Sequence, residues 1–239
     1  NSQKKILLQD RIEFDNLSFS YSGTHEPVLK NITLHIPAGS KVGIIGETGS
    51  GKSTLVDILM GLLLPESGSF AVDKELINIT NQYLWRRSVV HVPQNIFLSD
   101  VSILENIAFG HSAETVNWDS IKTAAKKASI HDHIESLEHG YNTIVGERGV
   151  KLSGGQRQRI GIARALYRSP DILFLDEATN ALDDETEAKI MESIYQLHPK
   201  LTLIMVAHRK TTLKHCSIII ELDKGTIKKM GNYKDMIGS

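Results

Sequence analysis

Two runs and one histidine carry chemistry by residue type and spacing. The sharpest is Gly46-Glu47-Thr48-Gly49-Ser50-Gly51-Lys52-Ser53, which fits G-x-x-x-x-G-K-[ST] and is followed by Thr54. Glycines at these places let consecutive backbone N–H groups turn inward around phosphate oxygens. Lys52 can then reach β- and γ-phosphates, and Ser53 offers a hydroxyl to Mg2+. A glycine-rich turn with a surface lysine would explain neither the spacing nor the position between an apolar run and a helical pattern. The chain has no N-K-x-D, the usual reader of guanine. Tyr21, upstream, could stack on an adenine ring; on pattern alone it reads rather as a core or rim aromatic continuing the face of Phe19.

The second run is Ile172-Leu173-Phe174-Leu175-Asp176-Glu177, an apolar strand ending in two acids. Beside a bound phosphate, Asp176 would orient the Mg2+ shell through water, and Glu177 would hold or deprotonate the attacking water. Without the glycine loop the same pair would read as a solvated turn. His208 follows the apolar run Leu201 to Val206 in the same way, and a ring nitrogen there could donate to a γ-phosphate, although a lone histidine is more often structural. His131-Asp132-His133 reads as a solvated loop rather than a ligand pair.

The elements that must position these groups follow from pattern switches. Ile12, Phe14, Leu17 and Phe19 alternate with polar residues, as do Val28 to Ile36, so the first segment reads as β up to the turn at Pro37-Ala38-Gly39. Lys41 to Gly46 is a short strand, and Thr54 to Leu63 a helix stopped by Pro65 and Gly68. Phe97 to Ser136 turns helical, with Ile103, Ile107 and Ala108 at one spacing and Trp118, Ile121, Ala125 and Ala128 at another. Ile172 to Leu175 and Leu201 to Val206 are too short for ordinary helices and too apolar for one-sided strands, so they predict a parallel sheet buried on both faces, with the helix Glu185 to Leu197 between them. Strand, helix, strand implies an α/β core with its active residues at the carboxyl ends of the strands.

Leu152-Ser153-Gly154-Gly155-Gln156, followed by Arg157-Gln158-Arg159, resembles the signature of ATP-binding cassette (ABC) ATPases. The resemblance covers nearly the whole chain and in family order. Tyr21 matches the adenine-stacking aromatic, Gly46 to Thr54 the Walker A loop, Gln94 the Q-loop, and Asp176 and Glu177 the Walker B acid and catalytic base. Asp183 lies in the D-loop, and His208 is the switch histidine. The resemblance implies a P-loop NTPase core with a parallel sheet, an N-terminal antiparallel β subdomain and a helical signature subdomain. Residues 1–93 would hold the β subdomain and Walker A, 94–168 the Q-loop and helical subdomain, and 169–239 the remaining core and a tail. It further implies ATP and Mg2+ as ligands, with Lys52, Gln94, Glu177 and His208 catalytic and Ser53, Gln94 and Asp176 on the metal. Ser153 to Gln156 would meet the γ-phosphate of ATP held by a second ABC domain, closing a homodimer with two composite sites. Ser153 with Gln156 also forms a capping-box pattern, which starts a helix there. The neighbouring Arg157, Arg159, Arg164 and Arg168 are expected to form a solvated basic face.

Thr143 to Gly149 resembles the exporters' segment that touches a membrane domain, with Ile144 in place of the usual acid. Asn180 and Lys210 also depart from common family residues, and none of the three belongs to the hydrolytic set. The wording as a whole is similar to exporters of lipids or lipid-linked oligosaccharides. The implied function is ATP-driven export, with the chain on the cytoplasmic face of a membrane beside a transmembrane domain of the same or an associated chain.

Composition agrees. The chain has 239 residues and 27 Lys and Arg against 28 Asp and Glu, so it lacks the basic field that nucleic-acid binding needs. A soluble ABC ATPase of DNA maintenance is the competing reading, but residues 94–152 show no sustained heptads for the coiled-coil arms such heads carry. A binding module without turnover would be expected to lack Glu177 or His208. Cys216 is the only cysteine, which excludes an internal disulfide and fits a reducing compartment. No apolar run approaches the ~20 residues of a membrane helix. The opening Asn-Ser-Gln-Lys-Lys is neither a signal nor a transit peptide and suggests a domain cut from a longer chain.

Overall fold

The computed structural model describes residues 4–23, 26–111, 115–179, 181–197, 200–207 and 212–236. In chain order the strands are β1 (Arg11–Phe19), β2 (Leu29–Pro37), β3 (Lys41–Gly46), β4 (Ser67–Val72), β5 (Glu75–Leu76), β6 (Val89–Val92), β7 (Ile172–Asp176), β8 (Thr202–Val206), β9 (Ile218–Asp223) and β10 (Thr226–Gly231). The helices are α1 (Lys52–Leu59), α2 (Gln82–Arg86), α3 (Ile103–Ile107), α4 (Trp118–Lys127), α5 (His131–Glu135), α6 (Gly154–Tyr167), α7 (Asp184–Tyr195) and α8 (Tyr233–Met236).

Two compact units divide the chain. The first is Asn1–Val90 with Asp171–Phe174 and Lys200–Ser239, and the second is His91–Pro170 with Leu175–Pro199. Leu175–Pro199 thus groups with the helical residues, whereas the sequence division set it with 169–239.

In the first unit, alternation in β1 sends Ile12 and Phe14 to one face, where they pair across β2 with Ile36 and Leu34 and across β4 with Val72 and Phe70. The antiparallel sheet so formed has the order β2-β1-β4-β5, and the second sheet the order β10-β9-β3-β8-β7-β6. In that second sheet β3 runs parallel to both β8 and β9, while β10 closes the edge antiparallel to β9. Strand β8 is buried throughout and β3 over its middle, residues 42–44, as two-sided parallel strands are. Phe14, Phe70 and Trp85 meet edge to face in the core, with ring centroids 5.1 and 6.3 Å apart along the series. The indole N–H of Trp85 donates to the Leu59 carbonyl at 2.8 Å, so the buried ring leaves no polar atom orphaned and fixes the end of α1. That helix ends earlier than Pro65 and Gly68 predict. It stops at Leu59 because Gly61 turns left-handed at φ +72, and the N–H groups of Leu62 and Leu63 fold back onto the Asp57 carbonyl.

The second unit is built on α6, which packs against α3 and α4. Helix α3 starts on a reciprocal capping box between Ser102 and Glu105. Helix α4 starts on Asn117, which accepts from the Ser120 N–H, and carries Asp119 in its first turn and Lys126 and Lys127 in its last, in accord with the helix dipole. Ile121, Ala124 and Ala125 form its buried stripe. His131-Asp132-His133 is not a loop. It opens α5, and His131 Nδ1 lies 2.9 Å from the Tyr141 hydroxyl, a partner that the local sequence gave no sign of.

Candidate functional site

In the first unit the glycine loop joins β3 to α1 as its spacing requires. Gly46, Gly49 and Gly51 all have positive φ, and Gly51 is the N-cap of α1 with no side chain capping the helix. The first-turn N–H groups of α1 are therefore left for an anion rather than for a cap. A Cβ on Gly51 would lie 2.8 Å from a Leu29 methyl and 3.2 Å from the Val28 carbonyl oxygen, and one on Gly46 would lie 2.4 Å from the Leu222 carbonyl oxygen. A Cβ on Gly49 would meet nothing within 4 Å.

Lys52 is mostly buried and folds its ammonium onto the Gly46 and Glu47 carbonyls, each at 2.8 Å. Ser50 Oγ is buried inside the loop with no hydrogen-bond partner. A buried ammonium, an orphaned hydroxyl and an uncapped helix start fit a phosphate group. The loop is also braced from a distance: the Gly225 N–H donates to the Ser50 carbonyl at 3.1 Å, with Gly225 itself at φ +82 in the β9–β10 turn. Nothing near the motif signalled Gly225, although Lys224-Gly225 between two alternating runs is a turn pattern.

Tyr21 is 42% exposed and stands edge-on to Phe19 at 5.0 Å. Its hydroxyl lies 3.1 Å from Thr54 Oγ1 on α1, which ties the ring to the loop. It is a half-exposed rim aromatic.

The second unit gathers a different set. The Gln94 amide donates to Glu177 Oε2 at 2.8 Å, and Glu177 takes φ +50, a left-handed value that costs a non-glycine residue ~1–2 kcal/mol. Asp176 ends β7 one residue earlier. His91, at the foot of the segment that carries Gln94, has its pKa pushed below the ordinary histidine value by burial, against the opposing pull of Asp176. Asp183 caps α7, accepting from the Thr186 N–H at 2.9 Å, and the Thr186 backbone and side chain hold its carboxyl below the usual range.

Ser153 and Gln156 make the capping box that their spacing predicts. Ser153 Oγ accepts from the Gln156 N–H at 3.2 Å and Gln156 Oε1 from the Ser153 N–H at 2.7 Å, which starts α6 with Gly154 and Gly155 in its first turn. The expected solvated basic face on α6 is corrected. Arg157 donates to the Leu152 carbonyl at 2.6 Å, and Arg159 to the Ser129 carbonyl at 2.7 Å. Arg164 donates to the carbonyls of Asn106 and Phe97 at 2.8 and 3.0 Å, and burial lowers its pKa. The guanidinium groups are spent on backbone carbonyls of the same unit, and sequence spacing along α6 cannot show that. Only Arg168 of the four stays exposed.

The loop residues and Tyr21 belong to the first unit, and Gln94, Ser153 to Gln156, Glu177 and Asp183 to the second. His208 lies outside the described residues, as do Asn180 and Lys210. Among the described residues no helix is long and apolar enough to cross a membrane.

Comparison with known proteins points to one family. The family model described as ABC transporter matches residues 29–180. The alpha-hemolysin translocation ATP-binding protein HlyB of Escherichia coli O157:H7 is 44% identical over 238 residues, 99% of this chain and 33% of that protein. The leukotoxin export ATP-binding protein LtxB of Aggregatibacter actinomycetemcomitans is 41% identical over 230 residues, 96% of this chain and 32% of that protein. The chain thus spans about a third of the length of the curated relatives it matches. Among solved structures, a bacterial Atm1-family ABC exporter with ATP bound superposes at a TM-score of 0.91 with 36% identity, over 99% of this chain and 41% of that one. The mixed sheet, the antiparallel sheet and the helical unit are those of an ABC ATPase, and the chain belongs to the ABC transporter family.

Proposed function

We propose that this chain binds and hydrolyses ATP to drive an exporter, and that it works as one of a pair of such domains, most simply two identical ones, beside a transmembrane domain at the cytoplasmic face of the membrane. The observation that carries the reading is the phosphate loop: an uncapped α1 N-terminus, a buried Lys52 and an unpartnered Ser50 hydroxyl in one turn. The relatives' names, ATP-binding proteins of toxin translocation and export, support the same direction.

Each residue then has a task. The N–H groups from Gly49 to Thr54 take phosphate oxygens, and Lys52 leaves its two carbonyls for the β- and γ-oxygens. Tyr21, held to α1 through Thr54, is assigned to the adenine ring. Glu177, held by Gln94, accepts a proton from the attacking water, and His208 is assigned to the γ-phosphate. Ser153, Gly154, Gly155 and Gln156 present the N-terminus of α6 to the nucleotide of the partner domain, and Asp183 lies in the segment that meets it. Bound Mg2+ would offset charge on the phosphate oxygens, with Ser53, Gln94 and, through water, Asp176 as its hard oxygen donors.

The composite site is tested by mixing. Lys52→Ala spoils one half-site and Ser153→Arg the other, so mixed dimers should regain one intact site and show phosphate release above the sum of the separate variants. Activity no greater than that sum, with mixed dimers shown to form, would refute the pairing.

A further inference from the structure

The second glutamine of Leu152–Arg159 has no task in the reading above, yet it is the more buried of the two. Gln158 is 6% exposed on α6, and its side-chain oxygen accepts from the Ala181 N–H at 3.1 Å. Ala181 sits between Glu177 and Asp183, in a segment that turns back through the Leu182 N–H on the Thr179 carbonyl and is stapled to α7 by Thr179 Oγ1 on Glu187 at 3.0 Å. The same segment lies against the first turn of α6. A Cβ on Gly155 would be 3.2 Å from the Ala181 carbonyl oxygen, and one on Gly154 would be 3.8 Å from the Ala181 Cβ. Beside this contact opens a cavity of about 360 Å³, lined by Gln94, Ile96, Gly154, Arg157, Gln158 and Ala181.

We propose that Gln158 is a positioning residue for Glu177: it ties Ala181 to the signature helix, so that Glu177 is held by Gln158 through Ala181 and by Gln94 directly. Glu177 needs such support because its left-handed φ is not one that a glutamate takes unaided. Displacing a general base by a fraction of an ångström costs turnover more than binding, because the chain's own nucleotide is held by the phosphate loop, whereas Asp183 faces the partner domain. Only an acceptor at the end of the 158 side chain serves, since the partner is a backbone N–H.

The inference rests on Glu177 as the base, and the test separates the two claims. In the full-length protein, Gln158→Met keeps length and loses the acceptor, while Gln158→Glu keeps an acceptor oxygen. A lost hydrogen bond of ordinary strength corresponds to roughly a 3–10-fold change. The methionine variant should lose about that much in kcat with KM for ATP within twofold. Hydrogen exchange should rise over residues 178–183 and not over Ile160–Leu166 of α6. The glutamate variant should recover most of the rate. If exchange also rises across α6, the methionine variant has lost its fold, and Gln158→Asn, which withdraws the acceptor by one methylene, carries the same expectation. Unchanged kcat in the folded acceptor-deficient variant, or equal loss in the glutamate variant, overturns the role of Gln158. Near wild-type turnover in Glu177→Gln would instead remove the base itself.

Discussion

Gly49→Ala and Gly51→Ala perturb the same loop by the same methyl group and should not cost the same. Both positions have positive φ, +81 and +102, so each alanine carries the left-handed penalty of ~1–2 kcal/mol. At Gly49 nothing lies within 4 Å of the new atom, and that penalty is the whole effect. At Gly51 the new Cβ arrives 2.8 Å from Leu29 Cδ2 and 3.2 Å from the Val28 carbonyl oxygen. Leu29 is fully buried and cannot swing away freely, so overpacking adds about 1–3 kcal/mol. The expected losses are therefore roughly 1–2 kcal/mol for Gly49→Ala and 2–5 kcal/mol for Gly51→Ala. For a chain of this size each kcal/mol lowers Tm by about 2–4 °C, a difference that calorimetry resolves. ATP affinity should follow the same order, because relaxing the Gly51 clash moves the N-cap of α1. Equal destabilisation, or a larger effect at Gly49, would refute the packing of the loop against Val28 and Leu29.

Lys52→Ala should lose ATP affinity before it loses anything else, because the loop would keep its N–H groups but no cation; unchanged affinity in a fluorescent-nucleotide titration would contradict the assignment. Arg164→Ala should destabilise the second unit by roughly 2–4 kcal/mol, since it strands the Phe97 and Asn106 carbonyls; a midpoint in urea equal to wild type would show that water replaces the guanidinium. Cys216 is buried, and burial pushes its thiol up to about 12, so a maleimide at pH 8 should label it only after denaturant is added. Prompt stoichiometric labelling of the native protein would refute its burial.

The chemistry was legible in the sequence where a local run fixes the backbone. Gly46 to Ser53, the acids at the end of β7 and the Ser153–Gln156 box all stand where their spacing put them, because turn glycines, strand ends and helix caps are decided within a few residues. What the sequence did not show depends on partners far along the chain. Gly225 braces Ser50, Gln94 meets Glu177, Gln158 meets Ala181, and three arginines of α6 point inward at carbonyls. The end of α1 was misplaced for the same reason: Leu62 to Leu64 continue an apolar helical pattern, and only the turn at Gly61 and the docking of Trp85 on Leu59 show where the helix stops. The similarity of wording to exporters of lipids or lipid-linked oligosaccharides is a different matter, since motif wording around a phosphate loop carries no chemistry of a cargo.

The central claim is turnover of ATP with Glu177 as the base, and Glu177→Gln in the full-length protein tests it most directly. The amide keeps the shape and a hydrogen bond to Gln94 while losing basicity, so MgATP should bind as in wild type, phosphate release should fall by ~10²–10⁴-fold, and an ATP-bound dimer should accumulate. Phosphate release near the wild-type rate from that variant would contradict it.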